Sequence, residues 1–361
     1  MKKSLVVLML VVLLVAMTAC KTQTPVAPDP GPATVNEPAT APEPAAPDYK
    51  IGFSFPTTNN EFWNLSLENA KSAAKACGFE LVATACDNDQ AKQLSDVESM
   101  IAGGINGLVL APQDASVCPG IVKMCKEKGL PLVIVDRWPG DELKAGQDFI
   151  AFIGPNDIVA GYSIAMSLID AGCTKLVAIN GFQGTSVADG RNEGLMKALA
   201  EHPEVELLQQ EWPGENMEQG EAALRDMMQA HDDIDGVWCY NDSHALASVK
   251  VLKDAGKLAS VKVGGMDLLG PAIESMKAGE LWFSTGGHYM QSAFGAIVVF
   301  DTLNGFAYSG DPVIKLNLLN VSQENLSQFV KKYQESAEPV DWKNYSKVYN
   351  PDASATFELT L

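Results

Sequence analysis

The sequence predicts an α/β protein in two similar halves, each a parallel sheet covered by helices on both faces. Three observations predict it. From Tyr49 almost to the end, short apolar runs alternate with longer amphipathic stretches, the pattern of strands joined by crossover helices. The roughly 310 residues from Tyr49 onward suffice for two domains on the usual size expectation. The alternation also runs twice, restarting after Gly154-Pro155.

In the first half, apolar runs place strands at 50–55, 80–85, 107–111, 131–136 and 149–153, with helices at 60–76, 89–102 and 116–128. The first of these helices ends at Cys77-Gly78 and the third at Lys128-Gly129, where glycine supplies a left-handed closing residue. The second half opens with a helix at 157–170. Strands follow at 175–179, 206–211, 236–240, 262–266 and 281–285, separated by helices at 186–201, 216–230, 243–254 and 271–278. An Asn-Asp pair opens a helix in each half, Asn156-Asp157 and Asn241-Asp242. Both residues cap helices well, and plain capping is the reading for the first pair.

Upstream of Tyr49 the chain has a different character. Lys2 and Lys3, an apolar run over 5–15 and the small residues before Cys20 are the three regions of a secretory signal, with an apolar core too short to span a membrane. Cys20 after Met17-Thr18-Ala19 resembles a bacterial lipobox, with Met17 where leucine is usual. That resemblance implies a signal peptide over 1–19, cleavage before Cys20 and lipid on that cysteine; a simple cleaved signal is the alternative. Residues 20–48 add a stretch rich in Pro, Ala and Thr, which cannot bury enough surface to fold and reads as a tether. The expected location is extracytoplasmic, lipid-anchored to a bacterial membrane.

The formal charge of −19 becomes −21 once the two lysines of the signal are removed, which argues against nucleic acid as a partner. Six cysteines follow Cys20, with no CxxC spacing; Cys118 and Cys125 are about two helical turns apart, too far to bond to each other. Buried thiols are the expectation. The histidines His202, His231, His244 and His288 fall in no nucleophile elbow, metal-ligand spacing or Walker pattern, and no GxGxxG follows the first strand. Catalytic residues, cofactor and metal are therefore not expected.

In open parallel sheets, ligands bind beyond the carboxyl ends of the strands. The residues found there include Asn60, Phe62 and Trp63 after the first strand, and Asp136, Arg137 and Trp138 after the fourth. Asp189 and Arg191 open a helix in the second half, Asn241 and Asp267 follow two of its strands, and His288 follows the last. Aromatic plates with fork-shaped hydrogen-bonding groups suit a sugar, which has an apolar C–H face and vicinal hydroxyls. Singly the same groups have plainer readings: Phe62 as a lid over the core, Asp136-Arg137 as a surface ion pair, Asp267 as a helix cap. Their joint occurrence at one end of two sheets favours a site.

The stretch "DNDQAKQLSDVESMIAGGINGLVLAP" over 87–112, with "VDR" at 135–137, "GRNEGL" at 190–195, "ND" at 241–242 and "GGMD" at 264–267, resembles the periplasmic sugar-binding proteins of the ribose and galactose type. The resemblance runs from about Tyr49 to Gln328. It implies two Rossmann-like lobes joined by three hinge strands, crossing near 153–155, 286–288 and 313–318. The N-terminal lobe would comprise 49–153 plus 288–314, the C-terminal lobe 154–287 plus 315–335, and 336–361 would be an extension. Trp342, Tyr345 and Tyr349 would either strap that extension onto a lobe or serve a partner.

Carried over by position, Asn60, Phe62, Trp63, Asp136, Arg137, Asn241 and Asp267 match sugar-binding residues of the family, and Arg191 matches a family arginine. Asp189 stands where the family has a sugar-gripping arginine, Pro56 where it has a hydroxyl residue, and Gly287 or His288 where it has a glutamine; Trp138 adds a second plate. Three carboxylates facing Arg137 point away from ribose itself and from anions. They favour a neutral monosaccharide or polyol, with an amine-bearing sugar as the second reading. The implied function is capture of a small sugar by a monomeric lipoprotein and its delivery to an ABC transporter permease. A ligand-presenting sensor lipoprotein, feeding a chemoreceptor or sensor kinase, and a nucleoside or signalling-furanose binder are the alternatives.

Overall fold

Period-two alternation builds the first sheet. Leu108, Leu110, Leu132 and Ile134 pack on one face while Val109, Val133 and Val135 pack on the other, and both faces are buried, as expected of strands covered on both sides. The computed structural model describes residues 49–336 and 339–361. The signal, Cys20 and tether predicted over 1–48 lie outside them. Among the described residues no helix is long and apolar enough to cross a membrane.

The first lobe runs β1 (Lys50–Phe55), α1 (Glu61–Cys77), β2 (Glu80–Ala85), α2 (Gln90–Ala102), β3 (Gly107–Leu110), α3 (Cys118–Lys128), β4 (Leu132–Val135) and β5 (Ala151–Pro155). The second begins with α4 (Asp157–Asp170), β6 (Lys175–Ile179), α5 (Ser186–Glu201), β7 (Glu206–Glu211), α6 (Met217–Ala230) and β8 (Gly236–Cys239). It continues with α7 (Asp242–Asp254), β9 (Lys262–Asp267), α8 (Gly270–Lys277) and β10 (Phe283–Gly286). The chain then returns to the first lobe with α9 (Gln291–Leu303) and β11 (Val313–Leu316), and to the second with β12 (Leu319–Ser322) and α10 (Leu326–Phe329), before a π-helical turn at Val330–Gln334 and a 3-10 turn at Trp342–Tyr345. Among the described residues the strands form two six-stranded sheets of matching order, β11-β5-β4-β3-β1-β2 and β12-β10-β9-β8-β6-β7.

Two α/β lobes are thus present as predicted, with three differences of detail. The sheets are mostly rather than wholly parallel, because β12 pairs antiparallel with β10. β10 runs towards the interlobe crossing and β12 runs away from it, only two residues after β11, so an antiparallel pairing is forced. β5 extends to Pro155, past the expected end at 153, because Gly154 and Pro155 find partners in Lys315 and Leu316 of β11. The helix expected over 116–128 starts at Cys118 after a 3-10 turn at Ala115–Val117, with Pro119 in its first turn, where a missing N–H does no harm.

α9 anchors the first lobe: every side chain from Gln291 to Asp301 is buried. The C-terminal extension covers it. Phe294 stacks on Phe357 at 4.4 Å and meets Trp342 at 5.7 Å, Ser346 Oγ donates to Asp301, and Tyr349 donates to the Cys77 carbonyl at 2.7 Å. The chain then returns to the second lobe, where Lys332 Nζ and Tyr333 Oη donate to the Thr360 carbonyl. Leu359 packs against apolar clusters of both lobes. The extension is a strap across the two lobes. The six cysteines after Cys20 are buried free thiols, and burial pushes Cys118, Cys125 and Cys239 up to about 12.

At the start of α7, Asp242 is fully buried; Ser284 Oγ donates to one carboxylate oxygen at 2.8 Å and the Leu269 N–H to the other at 3.0 Å. Burial raises its pKa above the ordinary carboxylate range despite those donors.

Two outcomes follow from this packing. Trp342→Ala, at a position 3% exposed, is expected to lower stability by about 3–5 kcal/mol in urea unfolding; an unchanged midpoint would mean that the strap is only loosely held. A raised folded-state pKa contributes stability below the ordinary carboxylate range and loses it as pH rises towards the folded value. Asp242→Asn should therefore flatten the fall in melting temperature between roughly pH 4 and pH 7, and an identical slope in both proteins would refute the assignment.

Candidate ligand-binding site

The carboxyl ends of both sheets meet across the interlobe cleft, and helix starts supply much of its lining. Asn60 caps α1: its Oδ1 accepts the Phe62 N–H at 2.9 Å, which leaves the Nδ2 donors for another partner and fixes Phe62 and Trp63 in the first turn. Both rings are buried, edge-to-face at 5.0 Å, and Phe62 lies 4.6 Å from the His288 ring. They are partly lid and partly wall, since the same rings also line a cavity of about 40 Å³.

That inner cavity is the point of convergence. Asn60, Phe62, Trp63, Asp136 and Arg137 reach it from the first lobe, Arg191, Asn241 and Asp267 from the second, and His288 from the crossing into α9. Larger cavities share its walls. One of about 500 Å³ includes Asn60, Trp63, Arg137 and Glu215; another of about 530 Å³ includes Asp136, Trp138, Asp157 and Asp189.

Asp136 and Asp267 hold left-handed backbones, φ 71° and 128°. Such conformations are strained for side chains with a Cβ and tend to mark functional positions. Gln291 Nε2 donates to Asp136 at 2.7 Å. Burial raises the pKa of both carboxyls, with Arg137 opposing it at Asp136 and Arg191 at Asp267. Arg137 donates to the Gln113 carbonyl at 2.7 Å and stands 3.8 Å from both Asp136 and Glu215, the latter across the cleft. Asn241 caps α7 by accepting the His244 N–H, and its Nδ2 donates to the Glu215 carbonyl at 3.2 Å.

Arg191 is held by the contact of α4 with α5. A Cβ on Gly161 would lie 1.9 Å from the Arg191 carbonyl oxygen, and one on Gly194 would lie 2.1 Å from that of Ile158, so the helices touch backbone to backbone. Arg191 Nε then donates to Asp157 at 2.9 Å, Nη1 donates to the Tyr240 carbonyl at 2.9 Å, and the guanidinium covers the Tyr240 ring at 4.4 Å. Burial acts against its charge, but Tyr240, Asp157 and Asp267 outweigh it and raise its pKa. Asp157 is pushed up to about 7 by burial, against the pull of Arg191. Asn156 is the plain helix cap expected, accepting from Val159 N; Asp157 does more than cap.

Two predicted site residues stand apart from the inner cavity. Asp189 is exposed, accepts the Gly184 N–H at 3.0 Å, and reaches only the larger cavity it shares with Asp136. Trp138 lines that same cavity, edge-on to Phe152 at 5.1 Å, with its Nε1 donating to Asp141. Sequence reasoning did not select Glu215, Tyr240, Asp157 or Gln291. Among the described residues no group of three or more His, Cys, Asp and Glu side chains is arranged to hold a metal ion.

A family model for the periplasmic binding protein domain matches residues 51–304. The ribose import binding protein RbsB of Salmonella typhimurium is 28% identical over 235 residues, covering 64% of this chain and 76% of that protein. A putative rhizopine-binding protein of Rhizobium meliloti is 30% identical over 246 residues, 66% of this chain and 78% of its own. An ABC transporter periplasmic solute binding protein of Actinobacillus succinogenes, solved with bound D-allose, superposes with a TM-score of 0.74 at 21% identity, over 78% of this chain and 100% of that one. The resemblance read from the sequence therefore holds at the level of the family. The chain belongs to the periplasmic binding protein domain family, as a solute-binding protein and not an enzyme.

Proposed function

We propose that this protein captures a monosaccharide or polyol between its two lobes and delivers it to an ABC transporter permease. The observation that carries the reading is the convergence of Phe62 and Trp63 with Asn60, Asp136, Arg137, Asn241 and Asp267, drawn from both lobes and mostly buried, on one cavity. An apolar ring face opposite acceptors and a guanidinium fork complements the two faces of a sugar. Exclusion of water gives those hydrogen bonds their weight. Because the ligand touches both lobes, it binds the closed arrangement more tightly than the open one, and only that difference drives closure. The relatives named for ribose and rhizopine and the fold relative solved with D-allose support the ligand class. Lipid on Cys20 and the tether over 20–48 would hold a monomeric domain at the outer face of the membrane, within reach of the permease.

A thermal-melt screen against pentoses, hexoses, amino sugars, polyols and nucleosides tests the proposal. A ligand of the folded state stabilises it by about 2.7 kcal/mol at a hundredfold excess over its dissociation constant, so one sugar or polyol class should raise the melting temperature. Shifts confined to nucleosides would overturn the reading. Trp63→Ala should weaken binding of the identified ligand by roughly 1–3 kcal/mol, since loss of a stacking aromatic also leaves a void. Titration calorimetry showing undiminished affinity would remove Trp63 from the site.

A further inference from the structure

Both cations at the cavity are committed before any ligand arrives. Arg191 is hydrogen-bonded to Asp157 and to the Tyr240 carbonyl, and Arg137 stands between Asp136 and Glu215 at 3.8 Å from each. Asp136, Glu215 and Asp267 therefore share the cavity with two guanidiniums, one of them already paired with Asp157, which Lys315 also faces. Asp267, 7% exposed, is the least compensated: among the described residues no Lys or Arg nitrogen lies within 4.0 Å of it, and its ion-pair neighbour is His288 Nε2 at 3.7 Å.

His288 does not supply the missing charge. The ring is 1% exposed, and burial, with Arg191 nearby, holds it in the neutral form. A neutral imidazole with its Nε2 proton towards Asp267 keeps Nδ1 as an acceptor, and among the described residues Nδ1 has no partner. The cavity thus offers carboxylates from opposite lobes, and behind it His288 keeps a buried acceptor without a partner among the described residues. The lack is of donors and positive charge, and buried charge without compensation is strongly unfavourable.

We infer that the ligand is an amino sugar or amino polyol, its ammonium seated between Asp136 and Asp267 and one of its hydrogen-bond donors directed to His288 Nδ1. The inference rests on the sugar or polyol reading and narrows it. An ammonium has three donors and no acceptor, so it satisfies both carboxylates at once, and it offsets the repulsion that lobe closure creates between them. Asp189, exposed and away from the inner cavity, plays no part in this balance.

Titration calorimetry on ligand-free protein tests it with matched triplets: glucosamine, glucose and N-acetylglucosamine; galactosamine, galactose and N-acetylgalactosamine; glucamine, glucitol and N-acetylglucamine. The amine of at least one triplet is expected to bind about a hundredfold more tightly than its hydroxyl and acetyl counterparts, the scale of a desolvated charge pair. Acetylation removes the charge without altering the protein, so that comparison stands even where a variant fails to fold. In Asp267→Asn the preference for the amine over its hydroxyl counterpart should fall to about tenfold or less, whatever change both affinities share. Neutral members binding as tightly as the amines, or a preference that survives Asp267→Asn, would overturn the ammonium and leave the sugar reading standing. Failure of all nine compounds to bind folded protein would overturn the amine inference, and the sugar reading falls with it only where the melt screen of pentoses, hexoses and polyols also shows no shift.

Discussion

The constraint on which the rest of the structure depends is the burial of charge at the carboxyl ends of two sheets. A parallel sheet collects loops and helix starts at that end, and here two sheets face each other, so groups that water would solvate in either lobe alone are shut between them. Asp136 and Asp267 occupy equivalent places, one in each lobe, both with left-handed backbones. Neither conformation is one that a folding chain adopts for stability. At Asp136 the Gln291 hydrogen bond from α9 helps to hold it, and at Asp267 the pairing with Gly286 of β10 does. Burial raises the pKa of both carboxyls, against the pull of Arg137 at Asp136 and of Arg191 at Asp267.

Everything else serves to bring those groups together in a defined way. Three strand connections cross between the lobes, and the last has only two residues between β11 and β12, so relative motion is limited to what short connections allow. The C-terminal strap adds a further constraint beyond the family match. It is fixed to α9 by Trp342 and Phe357 and to the second lobe through Thr360. Leu359 lies 3.1 Å from where a Cβ on Gly287 would stand. That glycine has φ 96° and sits at a crossing, so the strap packs beside the crossing where the backbone turns.

Much of this was legible in the sequence because the signals were periodic. β1, β2, β6 and β7, with α4 and α5, begin and end where alternation and caps place them. The strand-end rule selected Asn60, Asp136, Arg137, Asn241 and Asp267, which meet at the inner cavity. Asp189 and Arg191 show where the reading stopped short. The buried stripe of α5 runs through Val187, Ala188, Arg191, Leu195 and Ala198, the spacing of one helix face. Asp189 lies off that stripe, so phase along the helix, rather than position in a motif, decides which of the two points inward. Glu215 gave no such signal, being a lone acid in a loop before a helix cap. Gln291 did: a glutamine at the start of an otherwise apolar helix, buried throughout, is a polar group placed where it must find a partner.

Arg191 shows how fold and specificity become one problem. Its guanidinium is aimed by a helix contact that depends on Gly161 and Gly194, well away from any ligand group. Once aimed, it neutralises Asp157 and leans on Tyr240. Had it been free, it would have balanced Asp267 and suited the cavity to a ligand without charge. With it committed, the balance falls on whatever enters the cleft. The glycines that let two helices touch thereby help to set which chemistry the site can hold, although none of them lines the inner cavity.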